Sequence, residues 1–283
     1  MKIGIIGNGF VGKATQQLSC DVVELYCYDI NPALCSPPGT TLQTLVDNCG
    51  IIFISVPTPM NKDGSCHTGI LDSVVNELSL LCELSEKNVV IRCTEPPGTA
   101  DRLNCYYMPE FLTEKNFMDD FKHNPEWFFG LKGTEQDTAF RQTIQSLFSL
   151  SKEHGTIMSD SCIFLPNKEA EMLKLFRNVF LSVKVGLCNE VYDYCMSLGI
   201  DYDRMRRHAC NDSRIGTSHT SVPGHDGKRG FGGTCFPKDI NNLNHLLNHS
   251  NLPNYIVKSV VARNEEVDRS EKDWLMDKGR ASV

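Results

Sequence analysis

"GIIGNGFVGKA", residues 4–14, decides the fold. It contains the end of the apolar run KIGII (2–6), sets glycines at 7, 9 and 12, and runs on into a segment from Val11 to Leu18 that reads as helix. The order strand, tight turn, helix gives this G-x-G-x-x-G pattern its meaning. Gly7 makes the turn, Gly9 lets backbone approach a pyrophosphate, and Gly12 lets the helix lie against the strand. Open amides around Phe10 and Val11, with the positive end of the helix, then face the phosphates. Asp29 closes the second apolar run, VVELYCYD (22–29). It stands about 20 residues beyond the glycines, where a carboxylate accepts hydrogen bonds from a ribose 2′-hydroxyl and repels a 2′-phosphate. Together the two signals predict NAD rather than NADP.

Working outward, further apolar runs occur at GIIFISVPTP (50–59), NVVIRCTEPPGT (88–99) and EWFFGLKG (126–133), with helical spacing in ILDSVVNELSLLCELSEK (70–87). Strands alternating with helices predict an α/β fold, a Rossmann-type doubly wound parallel sheet covered on both faces. The Pro-rich ends of two of these runs hold Pro57 and Thr58, and Thr94. Such strand ends border the ligand crevice of a doubly wound sheet.

After about residue 160 the composition changes. Residues 167–198 hold one glycine, Gly186, and no proline, and apolar residues recur at three and four (Leu173, Phe176, Val179, Phe180, Val183, Leu187). This predicts one long helix, stopped by Gly199. A helix follows over 200–215, a Gly-rich loop over 216–235 and more helix over 237–269. The tail from Asp268 reads as a solvated end with Trp274 its one anchor. The expected domains are 1–160, binding NAD, and 161–283, all helical, with the long helix pairing two subunits as a homodimer.

The bulk numbers exclude several classes. A net charge of −7 over 283 residues offers no basic face to a nucleic acid. No stretch approaches the ~20 apolar residues of a membrane span. The 13 cysteines are odd in number and irregular in spacing, and no CxxC occurs, which predicts reduced thiols in a cytoplasmic setting. Eight histidines without paired spacing predict no metal.

GFGGTCFPKD (230–239) sets Cys235 among glycines. By itself it is a nucleophile on a bare loop or one thiol of many. Lys174 and Asn178, four apart on one helix face, read equally as surface residues. Glu110 reads as a surface carboxylate and Asp239 as a helix cap.

In order along the chain, GNGFVG, YDIN, VPTP, DGS (63–65), CTEPPGT, PEFL (109–112), EMLKLFRNVFLSVKVGLCNE (171–190), DSRIG (212–216) and GFGGTCFPKD resemble the UDP-glucose/GDP-mannose dehydrogenase family. The resemblance implies an NAD-dependent enzyme that oxidises a nucleotide sugar, UDP-glucose foremost, twice at its primary alcohol. It makes Cys235 the nucleophile, through a thiohemiacetal and a thioester. Lys174 and Asn178 become the oxyanion-stabilising pair, while Glu110 and Thr94 become water-handling groups. Asp239 orients a water or the lysine. Phe111, Leu112, Arg214, Phe231 and Gly232, with Glu110, Lys174 and Asn178, become sugar contacts, Arg214 often from a neighbouring subunit.

The match has gaps. The family's asparagine before PEFL is Met108 here, the valine after Thr94 is Glu95, and the sequence stops at Val283 before a third, nucleotide-holding domain. A compact natural enzyme is the expectation. Two alternatives stay open: a single-step hydroxyacid or 6-phosphogluconate-type dehydrogenase, which needs no cysteine, and a non-catalytic NAD-binding relative.

Overall fold

The computed structural model describes residues 1–283. The chain divides into two units. The first holds Met1–Thr58 and Thr68–Lys174, the second Pro59–His67 and Leu175–Val283.

The first unit is built on β1 (Lys2–Ile6), α1 (Phe10–Thr15), β2 (Glu24–Tyr28), α2 (Leu42–Asn48), β3 (Ile51–Ile54), α3 (Gly69–Leu81), β4 (Asn88–Ile91), α4 (Thr99–Arg102), β5 (Tyr106–Tyr107), α5 (Phe117–Lys122), β6 (Trp127–Leu131), α6 (Asp137–Glu153) and β7 (Cys162–Pro166). The strands form one sheet in the order β2-β1-β3-β4-β5-β6-β7. Both faces are covered, which is why the central strands read as unbroken apolar runs. Ile3, Ile5, Ile51, Phe53 and Val90 enter the core on one face. Their neighbours Ile6, Ile52, Ile54, Val89 and Ile91 enter the core on the other. Burying each such side chain stabilises the unit by about 1.5–3 kcal/mol. With β2 on one side of β1 and β3 on the other, the connections diverge at the end of β1, where Gly7 begins the turn. A doubly wound sheet binds its ligand at that divergence.

The sheet departs from the parallel expectation at one pairing. β5 runs antiparallel to β6, joined at Tyr107↔Gly130. A two-residue strand is too short to show any period in a sequence. β7 escaped for a different reason, because CIFLP passes directly into the long helix. Composition drew a boundary at 160, whereas β7 pairs with β6 from Trp127↔Cys162 to Leu131↔Pro166 and so belongs to the sheet.

The long helix, α7 (Asn167–Ser197), has 31 residues and measures about 46 Å at 1.5 Å per residue. Asn167 ties its start down, its amide donating to Asp101 Oδ1 at 2.8 Å and to the Cys105 carbonyl at 3.0 Å. Gly199, at φ +68, ends it as expected.

In the second unit the helix expected over 200–215 spans only α8 (Tyr202–Ala209), capped by Asp201 accepting from the Arg204 amide. The segment expected to be helical over 237–269 is two helices, α9 (Phe236–His249) and α10 (Tyr255–Arg263), followed by a π-turn over Asn264–Asp268. Asn251 at φ +54 and Pro253 separate α9 from α10. The tail is not a solvated end. Trp274 anchors it as expected, packed with Met60 and Ala281, but Arg269, Ala281 and Ser282 are buried as well. Met60 donates to the Ala281 carbonyl and accepts from the Val283 amide, each at 3.0 Å, so residues 59–67 and the tail fix one another. This pairing joins segments more than 200 residues apart, and no local pattern announces it.

Candidate active site

The cofactor turns of the first unit follow from three glycines used in three ways. Gly7 takes φ +91, which a side-chain-bearing residue adopts only with strain, and a Cβ there would strike the Ser55 carbonyl. A Cβ on Gly12 would run into the carbonyl of Gly7, so α1 can lie this close to the turn only without a side chain. Gly9, the residue before α1, faces open space, and no side chain caps the helix. Phe10 and Val11 therefore begin a helix whose first amides look outward, the cradle a pyrophosphate requires. Asp29 braces this turn. Its Oδ2 accepts from the Asn8 amide at 2.7 Å and its Oδ1 from the Asn31 amide at 2.9 Å. The two Pro-rich turns are stitched together, Thr58 Oγ1 donating to the Thr94 carbonyl at 2.8 Å, with Pro57 just before. These residues fit NAD, whose phosphates the Gly7–Gly12 turn would hold and whose ribose Asp29 would meet.

The same unit carries a buried ion pair. Lys174 Nζ lies 2.6 Å from Glu110 Oε1, with the side chains 3% and 6% exposed. Glu110 Oε2 accepts from the Leu112 amide at 3.0 Å, which fixes the carboxylate in PEFL. The ammonium also lies over the ring of Phe111, 5.6 Å from its centroid. Sequence reading treated Glu110 and Lys174 as separate groups; the structure makes them one.

The second unit gathers the thiol and its neighbours. Cys235 is the residue before α9, a 14-residue helix with proline near its start, and is partly exposed. That position sets the sulfur at the positive end of a helix, where anions are stabilised. Asp239, buried one turn in, accepts from Asn178 Nδ2 at 2.5 Å. Its other oxygen lies 3.0 Å from Lys238 Nζ. Burial alone would lower the Lys238 pKa, but the charge of Asp239, with smaller contributions from Cys66 and Cys235, holds it above the ordinary lysine value. Lys238 is thus favoured in its charged form by Asp239, three residues along the chain from the thiol. Sequence reading assigned Lys238 no role, although it stands in the quoted GFGGTCFPKD.

The glycines before Cys235 divide by purpose. A Cβ on Gly230 would meet Asn264 Oδ1, and one on Gly232 would meet Asp273 and the Arg269 guanidinium, so both are packed against the tail. Gly233, at φ +73, faces open space and is the one that leaves room for a ligand. Asn264 satisfies Phe231 on both sides, accepting its amide at 2.8 Å and donating to its carbonyl at 2.9 Å. Phe231 is buried by this clasp. Arg269 pairs with Asp226 and, at 3.1 Å, with Asp273, completing the anchorage of the loop. Arg214 stands apart in an exposed turn, its guanidinium held by Asp212.

A Rossmann-type dinucleotide unit followed by a helical unit with a thiol at a helix start defines the class. Sequence profiles of the UDP-glucose/GDP-mannose dehydrogenase family match twice, the NAD binding domain over residues 38–150 and the central domain over 168–266. The chain belongs to this family, and its cofactor is NAD. Among curated relatives, YtcA of Bacillus subtilis, which carries a UDP-glucose 6-dehydrogenase name, is 27% identical over 94% of this chain and 68% of its own length. UDP-glucose 6-dehydrogenase of Pseudomonas aeruginosa is 30% identical over 76% of this chain and 48% of its own. The chain thus spans only about half the length of most of these relatives. A UDP-glucose dehydrogenase from the archaeon Pyrobaculum islandicum superposes with a TM-score of 0.78 at 24% identity, covering 93% of this chain and 68% of that one, which speaks for the fold. No helix is long and apolar enough to cross a membrane.

Proposed function

We propose that the protein is an NAD-dependent nucleotide-sugar 6-dehydrogenase, with UDP-glucose the preferred substrate, that oxidises a primary alcohol to a carboxylate in two steps through Cys235. The observation that carries this reading is Cys235 at the start of α9 with Lys238 and Asp239 in its first turn and Asn178 of α7 bonded to Asp239. A helix start and a fixed ammonium both favour a sulfur anion.

NAD, when bound, accepts the hydride of each oxidation. The first oxidation converts the C6 alcohol to an aldehyde with release of a proton. The Cys235 thiolate adds to that aldehyde, forming the C–S bond of a thiohemiacetal as the oxygen takes a proton. Loss of hydride and a proton gives the thioester, and water cleaves the C–S bond to leave carboxylate, a proton and the thiol. Lys174 and Asn178 are the donors for the oxygen at the reacting carbon, in keeping with their burial and hydrogen bonding. Glu110 and Thr94 position the water, and Asp239 orients Lys238. Arg214, Phe111, Leu112 and the open Gly233 side of the loop meet the sugar nucleotide.

Incubation with NAD and a panel of UDP- and GDP-sugars, followed by NADH absorbance, tests the reading. Two NADH per sugar are expected. A stable ratio of one would remove the thioester and favour a single-step dehydrogenase.

The homodimer belongs to the same proposal. α7 leaves Phe176, Phe180, Leu187 and Tyr194 each more than half exposed. Their spacing of four, seven and seven residues puts them on one stripe, and apolar area left in water costs about 25 cal/mol per Å². Sedimentation of the wild type at micromolar concentration should give a dimer, and Leu187→Glu a monomer. A wild-type monomer would sink this assembly.

A further inference from the structure

Glu95 follows Thr94 in the turn that closes β4. Its side chain has no exposure, and neither carboxyl oxygen meets an N–H or hydroxyl donor. A lone carboxylate in such a place costs several kcal/mol, so the group must be neutral or paired. No cation is packed there to pair it. Its strongest electrostatic neighbour is Glu171 of α7, itself without exposure.

Glu171 is well placed to keep its charge. Its Oε1 accepts the Ala100 amide at 2.8 Å and its Oε2 accepts the Gly98 amide, so both oxygens hold the start of α4. Each oxygen retains a lone pair for a further donor. The other charged groups around the pair come from several elements. α3 gives Asp72, and α4 gives Asp101 and Arg102, whose guanidinium reaches Asp72 at 2.8 Å on the surface. α7 adds Lys168, whose Cε lies near Gly98, and the Cys105 thiol precedes β5. None of them supplies a donor to Glu95.

We propose that Glu95 is a positioning residue that stays protonated at neutral pH and donates its carboxyl hydrogen to Glu171, so that one shared proton keeps the Thr94–Thr99 turn seated on α7 and loss of that proton weakens NAD binding. Burial first, then repulsion from Glu171, pushes the Glu95 carboxyl well above the ordinary range, with Arg102 opposing. Burial also raises Glu171, against the two amides. For an acid raised in this way the folded state binds more protons than the unfolded one. The contribution is therefore complete at and below the ordinary carboxyl range and is lost as pH rises through the folded-state value. The turn matters to the cofactor because the Thr94 carbonyl holds Thr58 across the two Pro-rich ends. The inference goes beyond the sugar chemistry and survives its failure, because it is read in NAD binding and stability alone.

The full chain and its Glu95→Gln variant would be compared by NAD titration and by Tm from about pH 6 to about pH 9.5, a range lying above the ordinary carboxyl titration. Glutamine keeps a donor for Glu171 and does not titrate. In the wild type, Kd for NAD should rise by up to about tenfold per pH unit on the alkaline limb, with Tm falling alongside. In Glu95→Gln that rise should vanish. Superimposable pH profiles of the two proteins would overturn the proposal. Should the variant not fold, hydrogen exchange in the wild type decides. Protection of the Gly98 and Ala100 amides must fall with pH beyond the intrinsic rate, and constant protection would overturn the proposal equally.

Discussion

Cys235→Ser will bind NAD as the wild type does and will make no detectable sugar acid. The cofactor turns belong to the first unit and the thiol to the second, so the substitution leaves Gly7, Asp29, Thr58 and Thr94 untouched. What it removes is the thiol that the proposed mechanism uses as its nucleophile. A serine hydroxyl, with a pKa far above that of a thiol, remains protonated near neutral pH and is the weaker nucleophile. The expected fall in kcat for acid formation is at least about a thousandfold, or about 4 kcal/mol of lost transition-state stabilisation. The first oxidation needs no thiolate, so one equivalent of NADH and a free or hydrated aldehyde should still form slowly. Fluorescence titration with NAD gives the binding half of the result, and product analysis gives the chemical half. Acid formation at wild-type rate would remove Cys235 from the mechanism and restore the single-step alternative.

The parts of the molecule that sequence disclosed are those where physics acts over a few neighbouring residues. Gly7 and Gly12 are required by local backbone geometry, so they stand out as a pattern. The unbroken apolar strands announce a sheet covered on both faces, and the absence of helix breakers from 167 to 198 announces α7. The thiol loop stands out as one stretch because Cys235, Asp239 and their glycines lie within ten residues, but those residues by themselves leave the thiol's part open, and only the family resemblance gives it one. What stayed hidden depends on contacts between distant segments. Nothing near Glu110 says that its partner is Lys174, 64 residues away. Nothing in RSEKD says that Arg269 is buried, because residues of the 226–232 loop pack against it. Trp274 reads as an anchor from its size alone, but nothing near it points to its partner Met60, more than 200 residues earlier. The role of Lys238 was missed by a narrower margin. A lysine next to an aspartate reads as a solvated pair, and only the burial of both changes its meaning. Glu95 was visible as a departure from the family, but its significance came from Glu171, which the sequence places 76 residues later.

Lys174→Met should be the most destabilising single substitution among the site residues. The Lys174–Glu110 pair is almost wholly shielded from water. Taking two charges out of water is costly, and their attraction offsets that cost only while both are present. Removing the ammonium leaves a buried carboxylate with the Leu112 amide as its hydrogen-bond donor and the charge of the buried Arg92 guanidinium to offset its own, and should cost about 3 kcal/mol. Glu110→Gln should cost less, because its amide oxygen can still accept from Lys174 and the ammonium keeps its place over the Phe111 ring. The double variant Lys174→Met/Glu110→Gln should be more stable than Lys174→Met alone, since no lone charge is left behind. Urea unfolding of the four proteins gives the coupling energy directly, and a value near zero would mean that the pair is not coupled in the folded chain. Activity should respond differently. On the proposed mechanism Glu110→Gln retains the ammonium as a donor for the developing oxyanion and should slow thioester hydrolysis, so that the acyl-enzyme accumulates. Lys174→Met removes the donor itself, lowering kcat by about a hundredfold to a thousandfold, and the double variant should recover stability without recovering turnover. Recovery of both together would make the ion pair structural and leave the oxyanion to Asn178.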